Sequence, residues 1–310
     1  METVYTDTHA HVEKFAESLG EEGAKAVLAA FADANAIAGA NATADANAAA
    51  GVKAGDGNPA LLLDPGTDVD DLPRRIALAA GLLGIAPDAD GRFALPPWLH
   101  FAAGVWPGRP ALDDPDASMK ALRASIAAAG RQGVRVSAIG ECGFDFHHME
   151  ADEKTQLRLF SAQIELAVEL GLPLIVHSRD AAKATLDALG AAGVAGAAAR
   201  DIPVIIHCFG YGPEEVRAFL DSGAWISFAG NLTYKKSEPL REALAIVPDD
   251  RLLLETDAPY MNPEPRRGKA SSPLDVVRTY EKAAALRGTT ARALADKVSA
   301  NAFGLFAPRL

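Results

Sequence analysis

The sequence predicts an α/β fold, a (β/α)₈ barrel closed within one domain. Three observations carry that expectation. Eight short apolar runs alternate with amphipathic stretches along the 310 residues. The runs are continuous rather than alternating, the pattern of parallel strands covered on both faces. Hydrophobic residues make up 49% of the chain, enough for the core such a barrel encloses. Length alone also suits two domains, but α/β barrels of this size are commonly one.

The runs are "TVYTDTH" (3–9), "ALLLDPG" (60–66), "LHFAAGVWP" (99–107), "VSAIGECG" (136–143), "PLIVHS" (173–178), "PVIIHC" (203–208), "AWISFAG" (224–230) and "RLLLETDAP" (251–259). The clearest helix between them is "DEKTQLRLFSAQIELAVELG" (152–171). Its Leu157, Phe160, Ile164 and Ala167 recur at helical spacing, and Gly171 provides a stop. The first unit is the least regular. Residues 33–60 are rich in Ala, Asn and Gly and read as a helix end followed by an irregular insertion.

Composition narrows the function. No stretch approaches 18 consecutive apolar residues, and "METVYTDTH" has neither a basic start nor an apolar signal core, so no membrane association is expected. Two cysteines, Cys142 and Cys208, form no C-x-x-C pair and fit a reduced, cytoplasmic setting. Thirty basic against 41 acidic residues give a net charge of −11, the wrong sign for a protein that coats nucleic acid through long-range attraction. A nucleic-acid substrate would have to be held by local contacts. A monomer is the expected state.

Position singles out six polar residues. His9 and His11 close the first run, Glu141 the fourth, His177 the fifth, His207 the sixth and Asp257 the eighth. On an extended strand His9 and His11 share a face, about 6.5–7 Å apart, with Ala10 turned away. In a barrel the C-terminal strand ends converge on the mouth where active sites are built. Four imidazoles and two carboxylates gathered there are costly to desolvate unless they bind something in common, and a divalent metal is the simplest candidate. Cys142 and Cys208 each adjoin one of these residues and so should point away from the mouth as small core residues. His100, His147 and His148 fit no strand end and are expected on the surface. Asp145 either orients a ligand histidine or caps the following helix.

The segments "TDTHAH", "IGECGFDF", "PLIVHSRDA", "IIHCFG" and "LLLETDAPY" resemble, in order and spacing, the motifs of the TatD-type metal-dependent deoxyribonucleases, a branch of the amidohydrolase superfamily. The resemblance runs from about residue 5 to residue 262, and "NAFGLF" is similar to the family's usual ending. It implies a distorted TIM barrel with two divalent cations (Zn, Mg, Mn, Ni, Co or Fe) that hydrolyses phosphodiester bonds in DNA, often from the 3′ end. Carried over by position, His9, His11 and Asp257 would hold one cation and His177 and His207 the other, with Glu141 bridging. Asp257 and Glu141 would be the catalytic carboxylates, Asp257 also accepting the proton of the attacking water.

The pattern departs from the family in two places. Relatives commonly carry a Gly-[Ile/Val]-His-Pro segment where this chain reads "AGVWPG", with Trp106 at the histidine position and free to stack on a base or to pack under the loop. The family's Arg-Gly-Lys-Arg-Asn is here "RRGKASSP", which keeps Arg267, Gly268 and Lys269 but continues with Ala270 and Ser271. Arg179 is a phosphate contact by the same resemblance, or a partner of Asp180 or Glu165. Lys235 and Lys236 would add a small basic rim. Two other functions stay open: an esterase or amidase of the same superfamily, such as an aminoacyl-tRNA deacylase, and a metal-binding scaffold without catalysis. A bridging lysine is expected in lactonases and dihydroorotases, and Glu141 stands in its place.

Overall fold

The computed structural model describes residues 4–45, 59–194 and 202–306, with side chains described from 4 to 36 in the first of these. Seven parallel strands pair in sequence order: β1 (Leu62–Asp64), β2 (Leu99–Ala103), β3 (Ala138–Asp145), β4 (Leu174–Arg179), β5 (Val204–Ile206), β6 (Trp225–Phe228) and β7 (Leu252–Leu254). Helices surround them: α1 (Val12–Asp45), α2 (Leu72–Leu82), α3 (Pro115–Arg131), α4 (Glu153–Leu170), α5 (Ala182–Ala191), α6 (Pro213–Asp221), α7 (Glu238–Ile246), α8 (Val276–Leu286) and α9 (Ala291–Phe306). This is a distorted TIM barrel. Among the described residues no helix is long and apolar enough to cross a membrane.

The first predicted run is not a regular strand. Residues 6–11 close the barrel as a single irregular stave, with bridges from Asp7 to Leu62 and from Ala10 to Ala258. On one side the Asp7 and Ala10 amides donate to Leu61 and Leu63, and on the other the Thr8 and His11 amides donate to Leu254 and Ala258. The ladder is broken because the Asp7 carboxylate takes the His9 and Thr256 amides at 3.2 and 3.0 Å. The helix after this stave continues to Asp45, through the first part of the expected insertion, with Gly20 (φ 76°) kinking it. Residues 46–58 lie outside the described residues.

α4 matches its sequence signals. Asp152 accepts from the Thr155 amide at the start, and Gly171 takes the left-handed conformation at the end. Phe160, Ile164 and Ala167 are buried as expected. Leu157 is exposed, whereas Gln156 and Gln163 are buried. Each amide compensates for its burial by bonding backbone at or just beyond a strand end: Gln163 accepts from the Val105 amide and donates to its carbonyl, and Gln156 does the same at Asp145. The two glutamines pin the segments leading from β2 and β3 into the mouth.

The barrel is pinched at the same end. Where β2 stops, the turn after β1 reaches β3 directly: the Gly66 amide donates to Gly140 and the Glu141 amide donates to Gly66. A Cβ on Gly104 would lie 2.4 Å from the Gly140 backbone, so only glycine lets the chains pass. The pinch shifts the β3 register between Ile139 and Cys142. Glu141 therefore sits on an irregularity inside β3 rather than at its end, and the strand continues to Asp145. Gly143 is equally constrained. It has φ 143°, and a Cβ there would meet the His177 carbonyl at 2.0 Å. Gly143→Ala is expected to lower stability by about 1–3 kcal/mol, read as a lower denaturant midpoint; an unchanged midpoint would contradict the packing.

Candidate metal centre

Six side chains singled out by position converge on one cleft at the C-terminal mouth: His9, His11, Glu141, His177, His207 and Asp257. Glu141 is the hub. Its Oε2 lies 2.6 Å from His207 Nε2, 3.4 Å from His177 Nδ1 and 4.0 Å from His9 Nε2, and its Oε1 lies 3.7 Å from His11 Nε2. Asp257 Oδ1 is 3.4 Å from His11 Nε2 and 3.8 Å from His9 Nε2. Donor atoms fall within 4.8 Å of one another in three groups: His9 with His207 and Asp257, His9 with His11 and Glu141, and Glu141 with His177 and His207.

Burial makes this arrangement unusual. His9 is fully buried, yet neither of its ring nitrogens has a hydrogen-bond partner. Its ring stacks on that of His207 at 3.9 Å between centroids. A buried imidazole with both nitrogens unsatisfied carries a full desolvation cost. A cation on the open side would satisfy it, and four imidazoles with two carboxylates are a donor set suited to divalent first-row metals. The residues fit metal.

Charge in the cleft is set by competition between burial and neighbours. Burial, reinforced by His207, depresses His9 well below 6.5, so this ring is neutral. Burial also favours neutral His11, His177 and His207, but nearby carboxylates overcome it and raise all three above 6.5. For Glu141, burial is outweighed by His207 and by hydrogen bonds from His177 and His207, which hold the carboxyl well below its usual range.

An outer layer fixes the rings. Asp145 Oδ2 lies 3.1 Å from His177 Nε2 and 2.9 Å from His148 Nδ1, so of its two anticipated roles it takes the orienting one. Glu255, absent from the sequence reading, is its counterpart at the other histidine. This buried residue accepts from the Cys208 amide at 2.6 Å and from the Ser227 hydroxyl, and it faces His207 Nδ1 at 3.5 Å. Its signal in the sequence was present, as an acid inside "LLLETDAP" two residues before Asp257. A third buried group, Arg75 with Asp64 and Asp71, also went unread. Arg75 joins the Asp64 carboxylate at 2.9 Å, Asp71 at 3.0 Å and the Ala102 carbonyl at 2.8 Å, while Asp64 accepts the Val12 amide that opens α1.

Three other expectations change. His100 is buried in β2, bonded through Nδ1 to Ser137 at 2.8 Å, and burial pushes its imidazole down to about 4. His147 and His148 are exposed as expected, but they line the cleft. Cys142 is a core residue. Cys208 does not point away into the core: β5 ends at Ile206, Cys208 has φ 45°, and its half-buried side chain lines a groove beside the cleft. Strand alternation stops applying once the strand has ended.

The cleft encloses about 700 Å³. Trp106 forms part of its wall, edge-on to His177 at 5.7 Å and to His148 at 5.9 Å. Arg179 lies at the rim, exposed, with no carboxylate among the described residues in ion-pair distance, so neither Asp180 nor Glu165 is its partner. Beside the cleft a second groove of about 640 Å³ holds Arg267, Gly268 and Lys269. Arg267 lies over the Tyr234 ring at 4.3 Å.

Metal affinity should depend on pH with a definite sign. A cation binds neutral imidazole, and His11, His177 and His207 hold protons above pH 6.5. Affinity for Zn or Mn is expected to rise with pH across that range and to fall on acidification, by about tenfold per unit for each proton displaced. Competition against a chromophoric chelator at pH 6 and 8 measures it; equal affinities would contradict the assignment of these rings.

The fold agrees with known proteins. A structure described as a TatD homologue of Escherichia coli, YjjV, superposes over the full length of both chains with a TM-score of 0.72 and 25% identity. An E. coli protein named as an uncharacterized metal-dependent hydrolase, YcfH, is 39% identical over 171 residues, 55% of this chain and 63% of its own length. A protein of Erwinia billingiae named 3′-5′ ssDNA/RNA exonuclease TatD is 38% identical over 178 residues, 55% of this chain and 66% of its own. The chain thus spans less than two thirds of the length of either relative. The model of the TatD related DNase family matches residues 6–307, a span that takes in all six converging residues. From the stave that carries His9 and His11 to the last helix, the chain belongs to the TatD related DNase family.

Proposed function

We propose that the protein is a metal-dependent hydrolase that trims single-stranded DNA from its 3′ end by cleaving phosphodiester bonds. The observation that carries this reading is the buried donor set around Glu141, with both nitrogens of His9 unsatisfied, opening beside Arg179, Arg267 and Lys269, which no carboxylate among the described residues neutralises. The name of the Erwinia relative supports the choice of substrate.

His9, His11 and Asp257 would hold one divalent cation and His177 and His207 a second, with Glu141 shared between them. Bound there, cations supply charge neutralisation at phosphoryl oxygens and acidify a water. The protein's own groups do the rest. Asp257, whose Oδ1 already faces His9 and His11, accepts the proton of the attacking water. Asp145 and Glu255 hold His177 and His207 in the orientations that aim the other ring nitrogens at Glu141. Two divalent cations against two carboxylates and four neutral imidazoles leave a positive site, which draws a phosphodiester anion despite the net charge of −11. Arg179, Arg267 and Lys269 hold phosphates, and Trp106 offers a flat face for a base.

Glu141→Ala is expected to reduce activity by at least about a hundredfold and to lower metal content, because it removes the shared carboxylate. Circular dichroism should be nearly unchanged, since the core around it is apolar. Full activity of the chelator-washed variant would sink the assignment.

The substrate is tested by supplying Mg, Mn or Zn with single-stranded DNA, RNA, aminoacyl-tRNA and simple esters. DNA ends should be shortened, the reaction stopped by EDTA and weakened by salt, with a slope of about −0.7 in log affinity against log salt for each phosphate contacted. Hydrolysis of an aminoacyl ester with DNA left intact would overturn the nuclease reading.

A further inference from the structure

The cleft and the side groove share three lining residues, Arg179, Tyr260 and Met261, so they are two compartments of one depression. Tyr260 stands between them. It is half exposed, an unusual state for so large a ring, and it packs edge-on against His11 at 5.9 Å.

The two compartments differ in how their cations are paired. On the cleft wall Arg74 pairs with Glu13 and Arg109 with Asp113, while the Arg109 amide and guanidinium also bond Glu150. Lys14 lies 3.4 Å from Glu17. The groove lining includes one carboxylate, Asp180, which faces His147 at 3.6 Å; among the described residues no carboxylate lies in ion-pair distance of Arg179, Arg267 or Lys269. Arg267 is held instead against the face of Tyr234, which fixes the guanidinium without neutralising it. An exposed cation already paired with a carboxylate has little left to offer a phosphate, whereas an unpaired one held in place retains most of its attraction.

From this asymmetry we infer that the groove is a subsite for the strand that remains after cleavage: it takes the phosphate next to the scissile one, while the terminal nucleoside lies across Tyr260 in the cleft against Trp106. The inference rests on the phosphodiesterase reading and deepens it. A terminal nucleoside has no further phosphate and suits a wall whose own cations, apart from the shared Arg179, are already paired. The remaining strand carries one phosphate per nucleotide and suits the wall with free cations. Tyr260, between the compartments, separates the two bases and gives each a face on which to stack. The preferred substrate is therefore an oligonucleotide with at least one phosphate beyond the scissile bond. A single phosphodiester without neighbours lacks the groove contact.

The experiment compares a thymidine dinucleotide, which has only the scissile phosphate, with the trinucleotide, using the Mn-loaded full chain. Bis(4-nitrophenyl) phosphate serves as a small diester that reports chemistry alone. In the wild type KM should be about tenfold lower for the trinucleotide than for the dinucleotide, as two exposed charge contacts imply. In Arg267→Ala/Lys269→Ala that advantage should shrink to about twofold or less, the rest reflecting Arg179. Arg267→Lys with Lys269 intact should restore part of it, because charge is kept and stacking on Tyr234 is lost. An advantage that persists in the double variant, or a wild type that does not distinguish the two lengths, overturns the subsite. Failure of the wild type to hydrolyse all three diesters would instead overturn the phosphodiesterase reading, and the subsite with it.

Discussion

The carboxylate of Asp7 is the point on which the mouth of this barrel depends. It is fully buried, and it accepts from the His9 amide, the Thr256 amide and, at 2.6 Å, the Thr256 hydroxyl. Burial pushes it up to about 8 against those three hydrogen bonds. One side chain thus ties the stave that carries His9 and His11 to the loop that carries Asp257. The backbone repeats the connection, with the Asp257 amide donating to His9 and the His11 amide to Ala258. Without this seam the two ends of the open sheet have only sparse bridges to hold them, and three of the six converging residues lose their common frame.

The rest of the cleft follows from the cost of burying polar atoms. Three of the four histidines that face Glu141 have a carboxylate behind them or unsatisfied nitrogens. Asp145 backs His177 and Glu255 backs His207, while His9 has nothing on either nitrogen. Glycines make this crowding possible, since the pinch at Gly66, Gly104 and Gly140 brings Glu141 inward and Gly143 lets β3 approach the His177 backbone. The arrangement is held from outside by Gln156 and Gln163, which replace missing ladder bonds where β2 and β3 give way to irregular chain. Arg75, bonded to Asp64 and to the Ala102 carbonyl, braces the ends of β1 and β2. Rigid support of this kind keeps a binding constellation within the narrow tolerances that metal coordination requires.

Electrostatics is local throughout. A chain with net charge −11 repels a polyanion at long range, and screening confines that repulsion to about 8–10 Å at physiological salt. Within that distance the balance is set by which cations are paired. Arg74 and Arg109 are neutralised where they stand, and Arg267 is held on an aromatic face that leaves its charge available. The same residue type therefore has different consequences on two walls of one depression.

Much of this was legible in the chain because the signals are periodic or positional. Continuous apolar runs marked seven strands, Asp152 and Gly171 marked the ends of α4, and polar residues at the ends of apolar runs marked the six that meet in the cleft. Tertiary structure alone decided the rest. An extended run was visible at residues 3–9, but a side chain from the same run, Asp7, breaks its ladder by bonding Thr256, 249 residues away. Leu157 fits the helical period and is exposed, while Gln156 and Gln163 are buried because backbone of neighbouring strands needs them. His100 and Cys208 were misplaced for the same reason: one is buried in a strand because Ser137 satisfies its ring, and the other follows a strand that ends sooner than its apolar run. Arg75 carries no local pattern, and Glu255 only that of an acid at the end of an apolar run, with nothing to name the histidine it backs. Sequence periodicity reports which face of an element is apolar, whereas a buried polar group is placed by a partner that can lie anywhere along the chain, and only the folded structure brings the two together.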